Sequence, residues 1–411
     1  MPENWRKYRL GDLIEVNKNS IRKGDLNWIN YIDIKSVGTG FYEEPKRMDF
    51  EDAPSRARRL LKEGDTVISS VRPNLKSYFY SQNLEENTIA STGFAVLTPK
   101  NIDKRFLYYL TTNDNYINYL VQSCTGSAYP AFGPQVLLDS EVLIPESFQE
   151  QKSIASILSA LDEKIELNLK MNKTLEDMAM ALYKHWFVDF GPFQDGDFVD
   201  SELGEIPKGW EVKPIGDVIE TLGGGTPKTK VQEYWENGNI DWYSPTDLTK
   251  ANSLFSFGTA KKITEKGLEK SSAKMFPARS LLMSSRATIG AITINRKPAC
   301  TNQGFITMIP NKTLTLFQLH GWTVNNMNLI LSKANGSTFK EISKANFRAL
   351  PILIGSGISE YIKEVENYYA QIESNLLENQ TLTQLRDTLL PKLISGEVRV
   401  KDAEKTLSEV L

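Results

Sequence analysis

Two stretches of the chain place apolar residues at alternating steps of four and three. The first, residues 149–187, puts Ile154, Leu158, Leu161 and Ile165, then Leu175, Ala179, Leu182 and Trp186, on one stripe. It lacks Gly and Pro and is rich in good helix formers. This is heptad spacing, interrupted by Asn168 and Asn172, which either fix register or face solvent. The second stretch runs from about Ser359 to Ile394. It carries Ile362, Val365, Tyr369, Ile372 and Leu376, then Leu382, Leu385, Leu389 and Leu393, with a stutter near Asn379. Pro391 is expected to end or kink this helix early.

A helix of about 38 residues is ~57 Å long and cannot bury such a seam alone. The economical solution is an antiparallel pair. The alternatives are that each helix packs on its own domain or on another protein. Ahead of each stretch lies a region of different texture, residues 1–147 and 210–357. In the first, Asp65–Val71 and Gly93–Thr98 read as strands, and Phe106 to Val121 as one helix. In the second, Ser280–Ser285 and Phe305–Ile309 read as strands, and Leu314 to Leu331 as one helix. Each region is a mixed α/β domain of common size. The predicted order is domain 1–147, helix 148–187, an exposed acidic connector 188–209, domain 210–357, helix 358–396 and a tail 397–411.

The two regions repeat each other. Trp5 and Gly11-Asp12 recur as Trp210 and Gly216-Asp217, offset by 205. Ser69-Ser70 recurs as Ser284-Ser285, each with an arginine soon after (Arg72, Arg286). Gly93-Phe94 recurs as Gly304-Phe305, Gly126-Ser127 as Gly336-Ser337, and Ile144-Pro145 as Leu350-Pro351, always in the same order. A duplicated module with diverged content suggests one task done on two targets.

Charge separates the copies. The net charge of −3 divides into −1 over residues 1–147, −1 over 148–187, −5 over 188–209, +8 over 210–357 and −4 over 358–411. The basic second domain suits phosphate contact. The first lacks that excess, so charge alone does not establish nucleic-acid binding.

Composition excludes several classes of function. No run of 18 apolar residues exists, and the N-terminus is polar, so neither a membrane span nor a signal peptide is expected. Cys124 and Cys300 read as reduced thiols of a cytoplasmic protein. His185 and His320, the only histidines, have no metal-ligand spacing and support no Ser/His/Asp triad. The tract Gly223-Gly-Gly-Thr-Pro-Lys-Thr229 places Pro227 where a phosphate-binding loop needs Gly before Lys. It reads as a turn presenting Thr226, Lys228 and Thr229.

What remains is recognition chemistry. Arginine can fork onto guanine O6 and N7, and Asn or Gln onto adenine N6 and N7, while Lys, Ser and Thr hold phosphates. The turns after the paired serines therefore nominate Arg72, Asn74 and Lys76 in the first domain and Arg286 in the second. Thr226, Lys228 and Gln303 join them, as do Tyr129 and Lys340 from the two Gly-Ser turns. The bland reading of each is an ordinary surface turn. Leu158, Leu161, Ile165, Leu175, Leu182, Tyr369, Ile372 and Leu376 are the expected helix-seam and partner-docking positions.

The chain also resembles the specificity subunit of Type I restriction-modification systems. The matching stretches are Glu205-Ile-Pro-Lys-Gly-Trp210, Ser285-Arg-Ala-Thr-Ile-Gly290, Cys300-Thr-Asn-Gln-Gly-Phe305, Glu150-Gln-Lys-Ser-Ile-Ala-Ser-Ile-Leu158 and Leu385-Arg-Asp-Thr-Leu-Leu-Pro-Lys-Leu-Ile-Ser-Gly396, with Gly336-Ser-Thr-Phe and Ile144-Pro145. The resemblance implies two target-recognition domains separated by two antiparallel helices forming a coiled coil. Each domain would read half of a split double-stranded DNA site, with the helices as ruler and docking surface. It implies two methyltransferase subunits and motor-nuclease (restriction/translocase) subunits as partners. These would carry S-adenosylmethionine, ATP and Mg, and no cofactor is expected on this chain. Domains so held would touch the major groove ~34–36 Å apart. Asn302-Gln303-Gly304-Phe305 stands where the first half has Ser91-Thr92-Gly93-Phe94, so the half-sites should differ. Two rivals are a stand-alone DNA-modifying or DNA-cleaving enzyme and a coiled-coil adaptor for protein alone.

Overall fold

The computed structural model describes residues 4–251, 253–286, 288–336 and 340–410. Ala287, Ser337, Thr338 and Phe339, from the candidate turns, lie outside the described residues. The chain forms two compact units, residues 1–167 with 378–411, and residues 168–377. Each unit takes part of both long helices, Phe148–Phe187 and Ser359–Ser395.

In the first unit, Trp5–Arg9 pairs antiparallel with Glu141–Pro145, closing the recognition domain on itself. One four-stranded sheet runs Ile14–Val16, Phe94–Pro99, Thr66–Ser69, Tyr78–Tyr80, antiparallel throughout. A second runs Lys46–Asp49, Trp28–Ile32, Thr88–Ser91, Ala57–Leu60, with Trp28–Ile32 parallel to Thr88–Ser91. The core gathers Trp5, Leu10, Phe106, Leu107 and Leu120 with Ile154 and Leu158 of the first long helix and Leu389 and Leu393 of the second.

The second unit repeats this plan. Glu211–Pro214 pairs antiparallel with Pro351–Ile354. Glu220–Leu222, Phe305–Ile309, Leu281–Ser284 and Ile292–Asn295 follow the order of the first domain's sheet, with Phe255–Ser256 added at the edge. Ile240–Tyr243 runs parallel to Ala299–Thr301, as Trp28–Ile32 does to Thr88–Ser91.

Both expected recognition-domain helices are broken by an asparagine. Lys104–Thr112 ends and Asp114–Gln122 begins at Asn113. The Asn113 side chain donates to Leu110 O at 2.7 Å and accepts from Tyr116 N at 3.1 Å, so it serves both ends. Leu316–Asn325 and Met327–Ser332 likewise divide at Asn326, whose amide donates to Trp322 O.

The long helices pair antiparallel within each unit. In the first unit Arg386 bonds Asp162 at 2.8 Å and Asn379 reaches Ile165 O at 3.4 Å. In the second, Asn375 Nδ2 donates to Asn172 Oδ1 at 2.8 Å, and Tyr183 and Phe187 pack on Tyr361. Leu158, Leu161, Tyr369 and Ile372 are buried as expected. Ile165, Leu175, Leu182 and Leu376 are only half-buried, and Tyr183 and Tyr361 take the places given to Leu182 and Ile362. No stutter is needed near Asn379, because Asn375 and Asn379 are themselves buried in the seam. Asn168 and Asn172 are buried too, which excludes the solvent-facing reading.

Three further expectations change. The second long helix continues past Pro391 to Ser395: Leu389, Leu393 and Ile394 on either side of the proline are buried in the first unit's core, and this packing offsets the bond that the proline cannot donate. The connector holds a hairpin, Phe198–Ser201 with Gly204–Pro207, and anchors Phe190 and Phe193 on Trp210. The C-terminal tail contains a helix, Val400–Val410, whose Ala403 is buried in the first unit's core. Among the described residues no helix is long and apolar enough to cross a membrane.

Candidate nucleic-acid interface

In the first domain the strand Thr66–Ser69 runs out into a turn pinned at its root. Ser70 donates from both N and Oγ to Gly93 O, at 2.9 and 2.8 Å. Arg72 and Lys76 are left-handed, at φ 50° and 53°, on either side of the short 3-10 turn Pro73–Leu75. Such a backbone costs an L-residue about 1–2 kcal/mol, so the surrounding contacts must hold it. They do: Arg72 N donates to Pro130 O and Phe132 N to Ser70 O, which joins this turn to the Gly126 turn. The Arg72 guanidinium lies 4.8 Å from the Tyr129 ring centroid and donates to Ala128 O at 3.3 Å. Tyr129 is 71% exposed, so this stacked arginine stands in solvent. Asn74 is exposed beside it. Lys76 is already paired with Asp114 at 2.7 Å.

The second domain repeats the backbone stitching with other side chains. Ser285 N donates to Gly304 O at 2.8 Å and Ile342 N to Ser285 O at 3.1 Å. Val71 bridges Ala131 in the first domain, and Arg286 bridges Glu341 in the second. Arg286 therefore stands in the place of Val71 and not of Arg72. The apparent recurrence of arginine after the paired serines is a one-residue slip. Arg286 Nε donates to Glu341 Oε1 at 2.7 Å, and Lys340 is exposed next to it.

The glycine tract packs backbone on backbone. A Cβ at Gly224 would lie 2.2 Å from Thr301 O and Asn302 O, and one at Gly225 would lie 2.5 Å from the backbone of Ser272 and Ala273. This close approach puts Thr226 beside Gln303, whose Oε1 accepts from the Thr226 hydroxyl at 2.7 Å. Lys228 is exposed, and its carbonyl accepts from Trp235 Nε1. The candidates thus form two groups, Arg72–Tyr129 with Asn74 and Lys76, and Arg286–Glu341–Lys340 with Thr226–Gln303 and Lys228.

Sequence reasoning missed two residues. Arg56 accepts at its carbonyl from Thr92 N at 2.7 Å, which brings it beside Thr92, the residue matching Gln303, while its guanidinium pairs with Asp33 at 3.2 Å. Glu341 was overlooked although it is the sole acidic residue from Lys270 to Gly357, a stretch with eleven basic ones. That isolation was a usable signal. His320 is buried, bonded through Nδ1 to Tyr369 OH at 2.6 Å, and burial pushes it down to about 4. Both cysteines are free thiols. Among the described residues no three His, Cys, Asp or Glu side chains are grouped to hold a metal.

Comparison with known proteins covers nearly the whole chain. The profile of the family described as Type I restriction modification DNA specificity domain matches residues 2–177 and 207–375, one match for each half. The HindI specificity subunit of Haemophilus influenzae, a Type I restriction enzyme subunit, is 27% identical over 96% of this chain and 100% of its own length. The MjaIX specificity subunit of Methanocaldococcus jannaschii is 27% identical over 98% of this chain and 95% of its own. In fold, the crystal structure of the Type-I restriction-modification system S subunit from M. genitalium matches with TM-score 0.57 at 15% identity, covering 95% of this chain and 96% of that one. The twice-matched profile, on two domains of one topology joined to paired helices, places this chain in the Type I restriction modification DNA specificity domain family.

Proposed function

We propose that this chain is the sequence-reading subunit of a Type I restriction-modification assembly. Each recognition domain reads one half of a split, asymmetric DNA site, and the helix pair sets the spacer. The helices also dock two methyltransferase subunits, and restriction/translocase subunits complete the complex. The chain contributes no catalytic group and works in the cytoplasm. S-adenosylmethionine, ATP and Mg belong to its partners. The family match favours this over a stand-alone DNA-modifying or DNA-cleaving enzyme.

The observation that carries the reading is a shared backbone frame with different side chains at equivalent places. Val71 and Ala131 answer to Arg286 and Glu341, and Thr92 answers to Gln303. Two unlike donor sets on like supports suit two unlike half-sites. Arg72, stiffened by Tyr129, is the principal base reader of the first domain, with Asn74 and Lys76 beside it. Arg286 and Gln303 read in the second, with Thr226 holding the Gln303 amide and Lys228 and Lys340 on phosphates. Mapping methylated adenines in cells that express the chain with its cognate methyltransferase tests this. A split motif with unlike halves is expected; a palindrome, or no motif, would refute it.

A further inference from the structure

Arg286 faces a carboxylate that stability does not require. Its side chain is 46% exposed and that of Glu341 is 41% exposed. Exposed ion pairs add little to folding. Yet Glu341 is the single acidic residue of a long basic stretch, within a domain whose charge of +8 would otherwise favour phosphate. Both backbones are fixed. Arg286 and Glu341 form a cross-strand pair, Glu341 also exchanges two backbone bonds with Asn335, and Ser285 is held by Gly304.

The carboxylate meets the guanidinium at Nε, 2.7 Å away. Among the described residues it is the sole side-chain partner of Arg286. Nη1 and Nη2 remain, the end-on pair of the planar fork that can span guanine O6 and N7. A neutral base edge tolerates a carboxylate behind the arginine. A phosphate, itself anionic, is repelled by it. The first domain has Val71 and Ala131 at these places, so the arrangement belongs to the second half-site alone.

We propose that Glu341 is a specificity-positioning residue, which aims Arg286 at one guanine of the second half-site and discourages it from phosphate. The proposal rests on the reading of this chain as a DNA-recognition subunit. The wild-type methylation map separates the two: absence of a split motif would sink that reading, whereas the variants below address only Glu341.

The test uses the complete complex with cognate methyltransferase subunits and the variants Glu341→Ala, Glu341→Gln and Arg286→Ala. Methylation maps are compared with binding to a cognate and a scrambled duplex over a range of salt. Arg286→Ala should relax a single G·C position in one half-site. Glu341→Ala should relax that same position and raise affinity for the scrambled duplex several-fold. Glu341→Gln, which keeps an acceptor oxygen, should retain more of the selectivity. A merely structural role would weaken cognate and scrambled binding together and lower thermal stability. That outcome, unchanged selectivity in Glu341→Ala, or relaxation at a position other than that of Arg286→Ala, overturns the proposal.

Discussion

Where the first domain sets Val71 against Ala131, the second sets Arg286 against Glu341, on the same backbone pairing. Where the first has Thr92, the second has Gln303 gripped by Thr226. The first compensates with an arginine one residue further on, stacked on Tyr129. Side chains at the edge of the fold thus change while the hydrogen bonds beneath them persist. A recognition surface can diverge this freely when its support is main chain, because main-chain bonds do not depend on side-chain identity.

The sharpest way to break this comparison is to attack the frame where both copies share a residue. Trp5 is buried in the first unit and donates its Nε1 to Glu150 at 3.2 Å. Trp210 is buried in the second among Phe187, Phe190 and Phe193. Replacing either with Ala should cost ~3–5 kcal/mol. Peptide-resolved hydrogen exchange should confine the loss from Trp5→Ala to residues 1–167 and 378–411, and that from Trp210→Ala to 168–377. Equal loss in both units after either change would mean that the two frames are not separately stable.

Much of that frame was legible in the chain. Repeated Trp, Gly-Phe and Ile/Leu-Pro landmarks mark strands and closures that the two domains share, and heptad spacing marks the long helices. What stayed hidden depended on pairing across distance. Arg286 looked equivalent to Arg72 because both follow two serines, and only its bridge to Glu341 exposes the slip. Tyr183 and Tyr361 displaced Leu182 and Ile362 from the seam because their rings pack edge-on against each other, with Phe187 stacked on Tyr183 and edge-on to Tyr361, contacts that step counting does not reveal. The glycine tract before Lys228 reads in sequence as a presenting turn, and its close backbone approach to Thr301, Asn302 and Ser272 depends on partners about 50 to 80 residues away.

A smaller difference lies in acid sensitivity. Both histidines fall in the second unit, and the first has none. His320 titrates at about 4 in the fold because burial disfavours imidazolium, against about 6.5 unfolded. Its folded value is depressed, so its contribution is fully present above pH 6.5 and is lost as pH falls toward 4. The linkage amounts to ~3 kcal/mol. Urea midpoints at pH 7.5 and pH 5, read by exchange in each unit, should fall further in the second unit. His320→Gln should reduce the difference. An equal fall in both units, unchanged by the variant, would assign acid sensitivity to carboxylates instead.

The smallest effect distinguishes two lysines. Lys76 is held by Asp114 at 2.7 Å, while Lys228 is exposed and has no carboxylate partner among the described residues. An exposed pair of this kind contributes at most about 1 kcal/mol, so Lys76→Ala should leave stability nearly unchanged. Each lysine that neutralises a phosphate adds about 1 to the slope of log affinity against log salt. In the complete complex, Lys228→Ala should therefore lower the slope by about 1. Lys76→Ala should lower it by less, because Asp114 already neutralises part of that charge. Equal reductions would mean that DNA displaces Asp114 on binding, and the first domain would then hold phosphate as firmly as the second despite its net charge of −1.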